Sequence, residues 1–168
     1  MEHIIRKRKK EDCDCVQKVI TKAWQQTYRG IVNDDFLDSL SYTEKDRITH
    51  SLESFNENNN KYLVLEVANK IVGFVRYDKA DDSKYIDYGE IIALYILNEY
   101  KGYGYGKELF EKAVLELKKL GYNKMIIGCL DKNPTNEFYK HMGGVLTSTR
   151  IFSRTGQNLQ ENVYSFNI

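Results

Sequence analysis

Much of this chain's class follows from what it has little of. There is one proline in 168 residues and no stretch rich in glycine and serine. Nothing marks a linker, and a single domain over residues 1–168 is the expectation. A domain of that size buries about 70% of the surface its unfolded chain exposes. Cysteine is scarce and odd in number, three in all, which excludes a disulfide framework and points to a reducing cytoplasm. Cys13 and Cys15 form a C-x-C beside His3, but residues two apart on a helix point in different directions. Cys129 stands alone in an apolar segment, so no metal is expected. No apolar run approaches the roughly 20 residues of a membrane span, and no apolar stretch follows the first charges as in a secretory leader. Twenty-five basic and 24 acidic residues nearly cancel, leaving no global field to attract nucleic acid or a membrane. The basic run at residues 6–10 reads as the solvated end of a first strand.

What is present suits a packed core: 42% apolar and 12% aromatic residues. Residues 2–8 read as a strand. Residues 11–28 carry Cys15, Val16, Val19, Ile20, Ala23 and Trp24 at helical spacing. Residues 33–40 and 43–55 read as a short helix and a longer one, the latter with Thr43 as N-cap and Asp46 three positions on. Strands follow at 62–67 and 70–77 about a turn at Asn69-Lys70, and a longer one at 85–97. A helix at 107–120 closes on Gly121; then come a strand at 124–130, a short helix at 135–142 ended by Gly143-Gly144, and strands at 145–152 and 158–166. The expected fold is mixed α/β: a mostly antiparallel sheet of about seven strands flanked by about four helices, in the order β-α-α-β-β-β-α-β-α-β-β.

The segment richest in chemistry is Lys101-Gly102-Tyr103-Gly104-Tyr105-Gly106-Lys107, between the longest strand and the helix after it. Three alternating glycines there leave backbone N–H groups uncovered at the positive end of a helix dipole, which makes an anion site. Spacing sorts the known kinds. A Walker loop requires glycine where Lys101 stands and Ser or Thr where Glu108 stands. A dinucleotide turn counted from Gly102 requires its third glycine where Lys107 stands. What remains is a basic residue, two spacers, Gly104, one spacer and Gly106.

That form resembles the acyl-coenzyme A pyrophosphate loop of the GNAT superfamily of N-acetyltransferases, [Gln/Arg]-x-x-G-x-[G/A], with lysine in first place. The segment from Asn133 through Phe138-Tyr139 to Gly143-Gly144 resembles the superfamily's later signature. Ala23-Trp24, Tyr28-Arg29-Gly30-Ile31 and Phe36-Leu37-Asp38-Ser39-Leu40 are similar to the first-helix region of a bacterial subgroup. The likeness thus covers nearly the whole chain.

The resemblance implies transfer of an acetyl group from acetyl-CoA to a primary amine of a small molecule or peptide, by direct attack in a ternary complex without a metal. Lys101, Gly102, Gly104, Tyr105, Gly106 and Lys107 would hold the pyrophosphate. A fourth strand parted from the fifth would offer backbone near Leu94 and Ile96 to the pantetheine arm and the oxyanion. Asn133 would bond that arm, and Tyr139 would give a proton to the leaving sulfur. Phe138 and Tyr139, about 100° apart on a helix, cannot both face one way. Glu90, eleven residues before Lys101, would be the general base through water; the other reading is a strand-end carboxylate in solvent. Trp24, Tyr28 and Tyr42 are either an aromatic wall about the acceptor or core, and Arg29, Asp34 and Asp35 read as solvated surface. A homodimer is the family's habit. The competing class is a non-catalytic acyl-CoA-binding sensor or partner-binding module on the same fold.

Overall fold

The computed structural model describes residues 2–168. In chain order the elements are β1 (His3–Lys7), α1 (Cys13–Tyr28), α2 (Asp34–Tyr42), α3 (Glu44–Glu53), β2 (Tyr62–Val67), β3 (Lys70–Lys79), β4 (Gly89–Ile96), α4 (Tyr105–Lys119), β5 (Lys124–Leu130), α5 (Asn136–His141), β6 (Val145–Phe152) and β7 (Leu159–Asn167). The strands form one sheet in the order β1-β2-β3-β4-β5-β7-β6. Every neighbouring pair is antiparallel except β4 with β5.

Helical periodicity places α1. Val16, Val19 and Ala23 are buried on one stripe, and Val16 and Val19 pack with Val64 and Phe74 of the sheet. The same geometry separates the paired cysteines: Cys13 is buried and Cys15 exposed. On the opposite face α4 lays down Leu109, Phe110, Ala113 and Leu117 in a core with Val75, Ile91 and Ile127. No helix among the described residues is long and apolar enough to cross a membrane.

Three expectations need correction. Thr43 does not cap α3 with its side chain; its hydroxyl donates back to Ser39 O at 3.1 Å, closing α2. The β2–β3 turn sits at Ala68-Asn69, whose φ angles of 48° and 61° are those of a type I′ hairpin, and Lys70 already pairs with Val67. The strand expected from residue 85 begins at Gly89, because Ser83–Tyr85 forms a 3-10 turn whose start is capped by Asp82 accepting from Lys84 N at 3.0 Å.

The feature that builds the site lies at the centre of the sheet. The parallel ladder between β4 and β5 runs only from Gly89–Met125 to Ile91–Ile127. Opposite β3, Tyr77 faces Ile91 but Arg76 faces Ala93, so Ile92 is an extra residue, a β-bulge. A bulge bends its strand and interrupts pairing. From Ile92 onward the edge of β4 that faces β5 has no partner strand.

Candidate functional site

The gap opens into a cavity of about 550 Å³ lined on one side by Ile92, Ala93, Leu94, Tyr95 and Ile96 and on the other by Ile127, Gly128 and Cys129. Lys101, Gly102, Gly104, Gly106 and Lys107 line the same space, as do Asn133, Phe138 and Tyr139. Nine expected ligand-facing residues therefore meet in one space. Tyr105 and Glu90 do not line it. The Tyr105 ring turns into the core, its centroid 4.7 Å from that of His3, and its hydroxyl is buried without a hydrogen-bond partner. Only its backbone remains for an anion.

Gly102 and Gly104 hold φ of 85° and 83°, values costly to any residue with a Cβ. Gly104 is the N-cap of α4, and its carbonyl accepts from Glu108 N at 3.2 Å. The N–H groups ahead of it point out of the helix end, as in other anion-binding helix starts. Gly106, by contrast, is helical and has room for a Cβ, with Ile96 at 3.8 Å the nearest atom. Lys101 makes no ion pair among the described residues, and partial desolvation holds its ammonium pKa below the usual lysine range. Lys107 lies on the surface, 3.8 Å from Glu111.

Beyond β5 the chain is pinned by Asn136, which sequence reasoning passed over. Its amide donates to Leu130 O (2.9 Å) and Asn133 O (2.6 Å), while its oxygen accepts from Tyr164 (2.7 Å) and Asn162 (3.1 Å). Asn133 uses its own oxygen to accept from Thr135 N at 2.9 Å, and its side chain also bonds the Tyr28 hydroxyl. Phe138 and Tyr139 both reach the cavity, and Tyr139 is the more buried. Burial pushes the Tyr139 phenol well above its ordinary pKa, and the hydroxyl has no hydrogen-bond partner among the described residues. Burial likewise pushes the Cys129 thiol up to about 12.

A second cavity of about 260 Å³ lies against α1 and α2. It shares Tyr28, Ile92, Ala93, Tyr95 and Gly128 with the first, so the two meet at the gap in the sheet. Trp24, Phe36 and Phe152 add aromatic walls; Arg76, Arg154 and Glu161 are its charged lining. Of the three aromatic candidates, Trp24 and Tyr28 face this space, whereas Tyr42 is 84% exposed outside it. Arg29 is paired with Asp34 and Asp38 on the surface. Glu90, 7% exposed, lines neither cavity: its carboxylate accepts from Arg150 at 2.8 Å. Arg150 also donates to Glu161 at 2.5 Å and lies 3.6 Å from Asp82. The carboxylate at the cavity is thus Glu161, lying over Gly128, where an added Cβ would come within 2.5 Å of its Cδ and Oε1.

Residues 18–143 match the family model described as the acetyltransferase (GNAT) family. The chain belongs to the GNAT acetyltransferase family. A curated relative, the uncharacterized N-acetyltransferase YuaI of Bacillus subtilis, is 26% identical over 159 residues, 94% of this chain and 88% of that one. Among solved structures, the PaiA N-acetyltransferase from Thermoplasma acidophilum, in complex with coenzyme A, superposes with a TM-score of 0.72 at 19% identity over all of both chains. YncA, a putative acetyltransferase from Salmonella typhimurium with its cofactor acetyl-CoA, gives 0.68 at 17% identity over 98% of this chain and 93% of that one. These two likenesses establish the GNAT fold. Within it, Gly128 carried a sequence signal, a lone glycine inside a strand. Arg150 and Glu161 carried none, because only the β6–β7 register sets them face to face. Among the described residues no group of three or more His, Cys, Asp or Glu is arranged to hold a metal ion.

Proposed function

We propose that the protein is an acetyl-CoA-dependent N-acetyltransferase that acylates a primary amine by direct attack in a ternary complex. The observation that carries this reading is the meeting of two cavities at the β4–β5 gap, with Gly128 on both. A donor threaded from the glycine loop to Tyr139 would present its acyl carbon to an amine arriving from the aromatic side. The fit is favourable: outward N–H groups, an unpaired Lys101, an unpaired strand edge and the Asn133 side chain on the cavity wall match pyrophosphate and amide groups. When bound, acetyl-CoA supplies a thioester whose acyl group forms the new C–N bond as its C–S bond breaks.

The chain's residues then have three tasks. An ammonium must lose a proton before it can attack. The Oε1 of Glu161 accepts no hydrogen bond among the described residues and lies beside the gap, so it can receive that proton directly or through water. Glu90 in this reading is a positioning residue that fixes Arg150, and through it Glu161. The unpaired edge of β4 near Leu94 and Ile96 offers N–H donors to the oxyanion. Tyr139 gives its proton to the departing sulfur and is reprotonated from solvent; the nitrogen sheds a second proton as the amide forms, which balances the one gained by the thiol, and the proton first taken from the ammonium is released to solvent. Direct transfer is favoured over an acyl-cysteine intermediate because Cys129, with its thiol near 12, is almost wholly protonated at neutral pH.

Competition calorimetry with acetyl-CoA, ATP and NAD, followed by thiol release over an amine panel, tests the proposal. Acetyl-CoA binding that neither nucleotide displaces, with amine-dependent thiol release, is the expected result. Tight ATP or NAD binding without acetyl-CoA binding would sink it. Acetyl-CoA binding with no turnover of any amine would favour the sensor reading.

A further inference from the structure

The second cavity carries information about the acceptor, provided that the acetyltransferase reading holds. Its charged lining is two arginines and one carboxylate, and the carboxylate of Glu161 is already bonded to Arg150. The arginines are uncommitted. Arg154 makes no ion pair or hydrogen bond among the described residues, and the Arg76 guanidinium touches only the ring of Tyr62, 5.7 Å from its centroid. The space therefore presents an excess of positive charge, which opposes a polycationic acceptor. At about 260 Å³ it is smaller than the roughly 300–1,000 Å³ usual for ligand pockets, and Trp24 and Phe152 make its walls apolar. Guanidinium forks match carboxylates in shape as well as charge.

We propose that the acceptor is a compact amine that also carries a carboxylate, an apolar amino acid in its simplest form. Its carboxylate is held by Arg76 and Arg154, its body lies against the aromatic walls, and its amine is aimed at the gap beside Glu161. Polyamines and other polycations are rejected.

The test is thiol release from acetyl-CoA with matched pairs: leucine against isoamylamine, phenylalanine against phenethylamine, γ-aminobutyrate against propylamine, with spermidine as the polycation. The expected result is a preference for at least one acid over its decarboxylated partner by about tenfold or more in kcat/KM. Arg76→Gln and Arg154→Gln should each drive that ratio toward one, mainly through KM. Arg29→Gln, which removes a charge tied to Asp34 and Asp38 outside the cavity, should leave it unchanged. Ratios at or below one, spermidine as the best acceptor, or ratios unmoved by both cavity variants would overturn the inference. If nothing in the panel turns over, calorimetry on the CoA-loaded protein decides: acids binding where amines do not sustains the inference, and binding of neither overturns it. Failure to bind acetyl-CoA at all would strike the acetyltransferase reading instead.

Discussion

A phenol can act as an acid toward a thiolate only while it keeps its proton, and burial secures this for Tyr139, whose pKa lies well above 10. The sign is simple: the protonated form dominates across the working range, so this group contributes no falling limb to the pH–rate profile below about pH 10. Tyr139→Phe should lower kcat by about 10²-fold or more while shifting the acetyl-CoA dissociation constant little, since the ring and its contacts with Phe138 and Tyr164 remain. Single-turnover thiol release and calorimetry read the two quantities, and unchanged turnover would remove Tyr139 from the mechanism. This residue was legible because it sits in a local motif. The carboxylates were harder. Glu90 is marked by its offset from the loop, but sequence spacing says nothing of where its oxygens point. The cross-strand pair of Arg150 and Glu161 turns Glu90 inward and leaves Glu161 at the cavity.

At the scale of the element, the loop and the first turn of α4 separate two uses of glycine. Gly104 is left-handed and Gly106 is helical. Gly104→Ala should cost about 1–2 kcal/mol of stability and weaken acetyl-CoA binding, because the cap conformation that aims the N–H groups is strained. Gly106→Ala should keep the fold or stabilise it by about 0.5–1 kcal/mol through helix propensity, with binding largely retained, as the alanine tolerated there in the family's loop form implies. Thermal melts and calorimetry on the two variants check the contrast; equal losses would mean that the two glycines share one role. Strands expected at Tyr62–Val67, Lys124–Leu130 and Val145–Phe152 occur with those bounds, since apolar β-prone runs end there at turn residues. The longest strand was overextended because Tyr85 is as β-prone as the strand proper, and the Asp82 side chain that makes it a 3-10 turn acts through geometry.

The whole molecule has a structural problem that its function creates: the same gap that forms the cavity leaves β4 and β5 joined by a three-residue ladder. Two charged clusters offset this. Arg150 bridges Glu90 on β4, Glu161 on β7 and Asp82 before β4, tying the two sides of the sheet together below the gap. On the other face, Glu116 of α4 binds Lys7 of β1 and Lys119, and accepts from Tyr77 of β3 at 3.0 Å, holding on the sheet the helix whose first turn lines the cavity. Burial works against the Glu116 carboxylate, but hydrogen bonds from Lys119, Lys7 and Tyr77 outweigh it and bring its pKa down to about 2. A depressed folded-state pKa adds stability that is complete above the ordinary value of 4.5 and is lost as pH falls through about 2. Glu116→Gln should therefore lower unfolding stability by about 1–3 kcal/mol at neutral pH, discounted for partial solvent screening. The deficit should shrink steadily between pH 4.5 and 2, as the wild-type carboxyl takes up its own proton. Urea midpoints for the two proteins at neutral pH and at the lowest pH where both stay folded measure the difference. A deficit that stays constant with pH would mean that Glu116 acts by packing, and that α4 is held on the sheet by its apolar face alone.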